Sequence, residues 1–574
     1  MCGYASFIIG DAAAEPRIPS CFHPYLHEKL FEEWGFAGFQ QTDCCDSITS
    51  AVDDHKYFSN YSTAVRAAVE VGVHAYFGFN GALLEALRAL LVSGGLDEGI
   101  FNDRLAVTLR SRFRMGEFDF ARNPAYPYAG PYDEAALDGE AHRALAREAV
   151  AASVVLLENG GGALPLGALA GRSVGVIGPF ADCSARENNG GGDRNAPLSC
   201  SYGHTYEGVS GAVSTVLSAA REEGARGGFS VAYVPGSAIT APAANASQGL
   251  AAAAALAGAS DATVLVLGLG ELVEVEGLDR ATLGLPPPQA ALLAAVLGAA
   301  RGPVVLCLVS AGLVHLNTSF FTSSSTSSTS SSGDGGGGGG ALPGAVLQLF
   351  YPGAETGHGV WDILLGRVAP SARLPLTAYT EAYLATQDPI WSFNLVSSQG
   401  VGRTYRYLDP AANASLVDHW FGYGLSYTAF SYSELAVVPA APFPRPGDAP
   451  PNATALTVTF RVTATRAAPG TPAAAEVAQV YVSVPRGASP GVGAAPIPYV
   501  GLAGFFKTAP LSLGASQLIT ISVPLSALET TTEGGGRVLT QGGYTIAVSG
   551  HMPGDAKGPA NVVSQLVNLP PSKV

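Results

Sequence analysis

Between residues 140 and 366 the sequence repeats one device. Short, almost unbroken apolar runs, SVGVIG (173–178), 229–234, DATVLVLG (261–268), PVVLCLVS (303–310) and 344–350, alternate with stretches long enough for helices. A strand exposed on one face would alternate apolar and polar residues. Runs apolar at every position need cover on both faces, which a parallel sheet with helical crossovers provides. The intervening helices are expected near 207–222, 247–258, 287–300 and 356–366, after a leading helix EAHRALAREAVAASVVLLEN at 140–159. This predicts an open α/β domain over 140–385. Its one interruption, the Ser/Gly tract of 319–342, buries nothing and carries the full ordering entropy of its backbone, so a disordered insertion is expected there.

The flanks read differently. From about residue 428 the segments ALTVTFRVTAT, AEVAQVYVSVP, SQLITISVPL and YTIAVSG alternate apolar and polar residues between Pro and Gly, the pattern of an antiparallel β-sandwich over 428–574, joined by a connecting segment at 386–427. Before the α/β domain, residues 24–34, 62–72 and 82–115 read as helices and 36–42 and 71–78 as strands, a β–α–β–α order within 1–122. The Pro- and Gly-rich NPAYPYAGPYDE within 123–139 reads as a linker. The fold class is therefore multidomain α/β plus β.

Charge and cysteine content narrow the partners. A net charge of −15 with only 13% charged residues argues against nucleic acid and against an anionic membrane surface. The longest apolar runs, near 287–300 and 303–314, are too short and too interrupted to span a bilayer, and MCGYASFIIG is not a signal peptide. With seven cysteines and no CxxC pair, no metal site and no cofactor is expected. Cys2, Cys21, Cys44, Cys45, Cys183 and Cys200 form three loose pairs, open to reading as disulfides or as buried thiols, and Cys307 is left over in an apolar strand. Sequons at Asn60, Asn245, Asn317, Asn413 and Asn452 hint at export.

Two stretches carry candidate chemistry. QTDCCDSI (41–48) places Asp43 at the end of a short strand, where it could cap a turn, hold a metal or attack a substrate. VLGLGELVEVEGLDRATLGLP (265–286) runs from a buried strand into a loop with Glu271, Glu274, Glu276, Asp279 and Arg280. Several acids beside one arginine can hold one carboxyl protonated and another ionised, although such a loop is most often a solvated turn. The glycine run ENNGGGDRN (187–195) lacks the Lys-Ser/Thr pair of a phosphate-binding loop and reads as a plain loop.

Taken in order, these stretches resemble glycoside hydrolase family 3, and most closely its β-xylosidase branch. The resemblance rests on MCGYA, IPSC, PYLHEKLFEEWGFAGFQQTDC, LAREAVAASVVLLENGGGALPL, VGVIGPFAD, VEVEGLDRATLGLP, YPGAETGHGVWDILLGRVAPSARLPLT, GRTYR (402–406) and FGYGLSYTAF (421–430). It implies a (β/α)8 barrel, then an α/β sandwich, then a fibronectin-type-III-like β-sandwich. It also implies hydrolysis of terminal β-linked sugars with retention of configuration. By that resemblance Asp43 is the nucleophile, Glu276 the general acid/base with Glu274 as the alternative, and Tyr4 a substrate-positioning residue. In such chemistry one carboxylate attacks the anomeric carbon and a carboxylic acid protonates the leaving oxygen, the two lying roughly 5–5.5 Å apart. Cys44 after the aspartate leans toward xylose rather than glucose, so xylan fragments are the implied substrate, in an extracellular or vacuolar setting. A Cys2–Cys21 disulfide would resemble the family arrangement.

The sequence also departs from the family. A barrel of this kind takes roughly 250 residues, and residues 1–122 resemble only its last part, from the sixth strand on. The family's acidic D-L-D-C-G is replaced by HAYFG, and the Asn of its S-Y-N by Ala5. Two readings follow: a retaining β-xylosidase-type hydrolase, or a catalytically inactive carbohydrate-associated or scaffold protein retaining the α/β and β-sandwich domains.

Overall fold

A computed structural model describes residues 18–42, 47–53, 55–76, 81–119, 138–183, 202, 213–240, 246–275, 278–316, 344–389, 392, 394–447, 449–486, 495–540, 542–559 and 561–569, and the backbone of 7–8. The chain divides into two compact units, Met1–Leu137 and Asp138–Val574.

In the first unit, β1 (Phe7–Ile8) pairs antiparallel with β2 (Ile18–Pro19). Helix α1 (Pro24–His27) runs on into a wider π turn over Glu28–Glu33. Helices α2 (Ser47–Asp53), α3 (Tyr61–Val71), α4 (Gly81–Ser93) and α5 (Glu98–Arg114) follow. Cys21, Phe22, Ile48, Ala51, Ala64, Val65, Ala68, Val73 and Leu83 form the core. The boundaries of α3 follow from its caps. The Asn60 side chain accepts from Thr63 N at 3.0 Å, and Gly72 ends the helix with φ +116°.

Three expectations are corrected here. The helix expected over 82–115 is two helices, because Gly94 (φ +69°) turns the chain and Asp97 caps a new start by accepting from Gly99 N and Ile100 N. Over 36–42 and 71–76, the described part of the two expected strands, no named strand forms, and Gln41 pairs with Ala75 in a parallel bridge. Parallel strands depend on neighbours and on cover from both sides. Residues 71–72 instead belong to the end of α3, whose amphipathic pattern runs through Val71.

The second unit begins with α6 (Glu140–Ser153), β3 (Val155–Gly160), β4 (Ser173–Ile177), α7 (Val216–Gly227), β5 (Ser230–Val234), α8 (Ala246–Ala259), β6 (Ala262–Gly268), α9 (Pro287–Ala299), β7 (Val304–Val309), β8 (Gly344–Gln348) and α10 (Thr356–Leu364). The sheet order is β3-β8-β7-β6-β4-β5, parallel throughout except that β3 runs antiparallel to β8. Successive residues face opposite sides. Val264, Val266, Val305, Cys307 and Val309 pack with α6, α7 and α10. Leu265, Leu267, Val304, Leu306 and Leu308 pack with α8 and α9. That two-sided burial is why these runs are apolar at every position. The helix expected over 140–159 stops at Ser153. Its tail VLLENG is a strand, because the run VVLL suits either state and the open edge of β8 supplies hydrogen-bond partners. Helix α7 overlaps the expected 207–222 from Val216 on and continues to Gly227, started by the reciprocal Thr215–Ser218 capping box. The linker at 123–134, the glycine run at 187–195 and the Ser/Gly tract at 319–342 lie outside the described residues.

A short antiparallel pair, β9 (Ala378–Tyr379) with β10 (Val417–His419), flanks α11 (Glu381–Leu384) and leads into the sandwich. One sandwich sheet is β11 (Thr428–Pro439), β12 (Thr454–Ala467) and β15 (Ser516–Pro524), with β12 central. The other is ordered β14 (Gly501–Lys507), β13 (Val477–Ser483), β18 (Gly543–Ser549) and β19 (Val563–Asn568), and the small ribbon β16 (Glu529–Thr531) with β17 (Arg537–Leu539) lies apart from both. Along β12, Leu456, Val458, Phe460, Val462 and Ala464 are buried while the intervening Thr457, Thr459, Arg461 and Thr463 are not. The antiparallel sandwich expected from 428 onward is present.

The α/β domain and the sandwich are joined by a buried ion pair. Arg373 Nη2 donates to Glu476 Oε2 at 2.6 Å, and Tyr432 Oη donates to Glu476 Oε1 at 2.6 Å. Both charged side chains are less than a tenth exposed, at 9% and 3%.

Candidate active site

Asp43 and Tyr4, in the first unit, lie outside the described residues. The segment leading to Asp43 is held firmly. Gln40 O accepts from His74 N and Ala75 N at 3.0 and 3.1 Å, and Thr42 N donates to Ala75 O at 3.1 Å. His74 Nδ1 accepts from Gln40 N at 3.1 Å. Burial and the nearby Arg104 charge pull His74 down to about 4, so the ring is neutral near pH 7 and that nitrogen is free to accept. Thr42 is buried. The residue that replaces an acidic position of the resembled family thus serves here as a backbone-holding imidazole.

In the second unit, β6 delivers the acidic loop. Gly270, at φ +65°, turns the chain off the sheet edge, and its carbonyl accepts from Val273 N and Glu274 N at 3.0 Å each. Val275 and Leu278 then pair with each other across positions 276 and 277, with Leu278 N donating to Val275 O at 2.9 Å. Glu276 itself lies outside the described residues, bracketed by this pair.

Glu274 is described, and it is fully engaged. Its Oε1 accepts from Ala311 N at 2.5 Å and from Tyr351 Oη at 3.1 Å. Its Oε2 accepts from Gly312 N at 3.3 Å and lies 3.5 Å from Arg280 Nε. The side chain is 13% exposed. Four donors converge on two oxygens, and the two backbone amides among them can only donate. A general acid needs an O–H directed at a leaving oxygen. Glu274 has both oxygens committed as acceptors.

Further ties hold the rest of the loop. Arg280 Nη1 donates to Leu313 O at 3.1 Å. Leu283 N and Gly284 N donate to Glu381 Oε1 at 2.5 and 3.0 Å, and Leu283 O accepts from His315 N at 2.8 Å. His315 is in turn paired through Nδ1 with Asp418. Sequence reading did not single out Tyr351, Glu381, Gly312 or the His315–Asp418 pair. Tyr351 opens the quoted YPG motif and could have been marked from it. Glu381 and His315 stand in no motif, and only the fold brings them to the loop. Asp279 and Glu271 belong to the same loop, with Glu271 buried. A cleft of about 530 Å³ in this unit, lined in part by Arg147, Arg367 and Lys507, includes no residue of the acidic loop. Among the described residues no group of three or more His, Cys, Asp or Glu is placed to hold a metal.

Cys21 and Cys183 are both disulfide-bonded, which removes the buried-thiol reading for these two. Cys307, in β7, is a buried free thiol. The expected Cys2–Cys21 pairing involves a residue outside the described set.

The second unit is thus a two-faced, mostly parallel α/β sheet domain followed by an antiparallel sandwich, with a tethered acidic loop after the third parallel strand. Residues 154–427 match the glycosyl hydrolase family 3 C-terminal domain, and residues 476–552 match the fibronectin type III-like domain. The chain thus carries the C-terminal domain of glycosyl hydrolase family 3, as its motifs implied. It is 31% identical over 425 residues to "Beta-D-xylosidase 1" of Arabidopsis thaliana, covering 74% of this chain and 48% of that protein. It is 28% identical over 535 residues to "Probable exo-1,4-beta-xylosidase bxlB" of Aspergillus terreus, covering 92% and 61% respectively. The chain thus spans about half to six-tenths of the length of these two relatives. Among solved structures it is similar to "GH3 exo-beta-xylosidase (XlnD) in complex with xylobiose aziridine activity based probe", with a TM-score of 0.75 at 24% identity over 96% of this chain and 65% of that one. The β-glucosidase from Listeria innocua in complex with isofagomine superposes with a TM-score of 0.69 at 21% identity, over 96% of this chain and 66% of that one. These likenesses concern the fold.

Proposed function

We propose that the protein is a retaining glycoside hydrolase that removes terminal β-linked xylose from xylo-oligosaccharides. The observation that carries this reading is the loop VEVEGLDR, which stands after β6 in a family 3 C-terminal domain and has its flanks tied down on both sides. Asp43 attacks the anomeric carbon, and Glu276 first protonates the leaving oxygen and then deprotonates the water that releases the sugar. Glu276 takes the acid/base role rather than Glu274, whose oxygens are already filled by N–H and O–H donors. Tyr4 positions the nucleophile. The substrate follows from the names of the relatives and from Cys44 after the nucleophile.

The same reading favours an oxidising compartment, extracellular or vacuolar. Two disulfide-bonded cysteines and exposed sequon asparagines at 60 and 452 support it. Among the described residues no helix is long and apolar enough to cross a membrane.

The test is release of nitrophenol from 4-nitrophenyl β-D-xyloside by the 574-residue chain, beside Asp43→Ala and Glu276→Ala. Activity abolished in Asp43→Ala, with Glu276→Ala impaired more on poor leaving groups than on good ones, supports the reading. Folded protein with no turnover would leave the catalytically inactive, carbohydrate-associated reading in its place.

A further inference from the structure

The acidic loop carries two glutamates two residues apart, Glu274 and Glu276, and the structure describes the first of them. Glu274 points back into the protein, where it joins the loop to the segment after β7 through Ala311 N and Gly312 N and to the segment after β8 through Tyr351. Arg280, on the far side of the 276–277 tip, reaches the same segment through Leu313 O and lies against Glu274. The two arms of the loop are thus crossed over one stretch of backbone, 311–313. At Gly312 any side chain would have to displace Arg280. A Cβ on Gly312 would stand 2.4 Å from Arg280 Nη2 and 3.4 Å from Glu274 Oε2. Tyr351 is suited to its part, since burial and the adjacent Glu274 charge push its hydroxyl pKa upward and keep it a donor.

We infer that Glu274 is a positioning residue: with Arg280, Gly312 and Tyr351 it forms a clamp that ties both arms of the acidic loop to 311–313, and catalysis by Glu276 depends on that tie. This inference rests on the hydrolase reading for what Glu276 does, but the clamp itself does not. A carboxylate at 274 is required because all its partners are donors. Glutamine there would turn an N–H₂ either toward Gly312 N and the Arg280 guanidinium or toward Ala311 N and the Tyr351 hydroxyl, losing at least one contact. Displacing a catalytic group by about 1 Å lowers turnover roughly 100-fold.

The experiment compares wild type, Glu274→Gln, Tyr351→Phe, Glu274→Ala, Glu276→Gln and Glu276→Ala by two readouts. The first is amide hydrogen exchange over 270–286, with β6 and β7 as an internal control for folding. Glu274→Gln is expected to speed exchange in the loop about 10-fold or more, leaving the strands protected, and Tyr351→Phe to do so to a smaller degree. The second is the pH profile of aryl β-D-xyloside hydrolysis, with and without azide. Glu274→Gln should lower kcat roughly 100-fold yet keep the alkaline limb set by Glu276, and azide should not restore either 274 variant. Glu276→Gln should lose that limb. In Glu276→Ala, azide should restore turnover of 2,4-dinitrophenyl xyloside. There its nitrogen bonds to the anomeric carbon as the bond to the Asp43 carboxylate breaks, giving xylosyl azide and free carboxylate.

Unchanged loop exchange in Glu274→Gln would overturn the clamp. Azide rescue of Glu274→Ala, together with an intact pH profile in Glu276→Gln, would overturn it in favour of Glu274 as the acid itself. If wild type fails to hydrolyse the xylosides, the hydrolase reading fails separately and the exchange data alone decide the clamp.

Discussion

Removing the Glu476 carboxylate should unlatch the sandwich from the α/β domain. In the native protein Glu476 accepts from Arg373 Nη2 and Tyr432 Oη at 2.6 Å each, and its own amide donates to Thr508 Oγ1 at 2.9 Å. It is 3% exposed and Arg373 9%. Glu476→Ala leaves a guanidinium buried without its counter-charge, an effect of about 3–5 kcal/mol. It also leaves a buried tyrosine hydroxyl without its acceptor, a loss of about 1–3 kcal/mol. These overlap, because both groups relax into the same vacated space, so about 4 kcal/mol is the expected total. The charge pair and the apolar pair are not equivalent in reverse. Arg373→Met with Glu476→Leu removes both desolvated charges, and most of the stability should return. The assay is urea unfolding by circular dichroism on wild type, both single variants and the double variant, with midpoints compared at a common slope. A loss below about 1 kcal/mol for Glu476→Ala, or a double variant as unstable as the two losses added together, would refute the argument.

Three further predictions follow from local structure. His419 is buried, its Nε2 has no hydrogen-bond partner among the described residues, and burial with the Lys557 charge holds it down to about 3. Its folded state therefore binds fewer protons than the unfolded chain below the ordinary value of 6.5. Its contribution to stability is complete above pH 6.5 and is lost as pH falls toward 3, by up to about 1.4 kcal/mol per pH unit. Nearby Glu158 and Asp555, raised by burial, act in the opposite sense, favouring the fold at low pH. Only a difference between proteins isolates the histidine: His419→Asn should flatten the fall in urea midpoint between pH 6.5 and 4.5, and parallel profiles would count against this reading. Gly312→Ala should reduce xyloside turnover by forcing Arg280 away from Leu313 O, with unfolding midpoints checking that the sheet is unaffected. Asn60→Ala should destabilise the first unit by about 1 kcal/mol through loss of the α3 cap, read as faster amide exchange in α3.

Much of this protein was legible in its sequence. The parallel sheet could be read because strands covered on both faces must be apolar at every position, and the sandwich because strands covered on one face must alternate. The two acidic stretches could be read because the residues around them keep a family's order. What the sequence could not settle were choices between states of similar local preference. VVLLEN can continue a helix or form a strand, and the free edge of β8 decided for the strand. Residues 71–78 read as a strand, yet α3 took Val71, and Ala75 pairs with Gln41 in a parallel bridge outside any named strand. The acidic loop shows the same division. Composition placed three glutamates and an arginine there, but that Glu274 turns inward depended on Ala311, Gly312 and Tyr351, which are 37, 38 and 77 residues away from it. The sequence by itself determined which segments are buried, because burial is written in each residue's own polarity. The tertiary structure decided which polar groups meet, because a hydrogen bond needs its partner within about 3 Å, and only the folded chain brings distant residues that close.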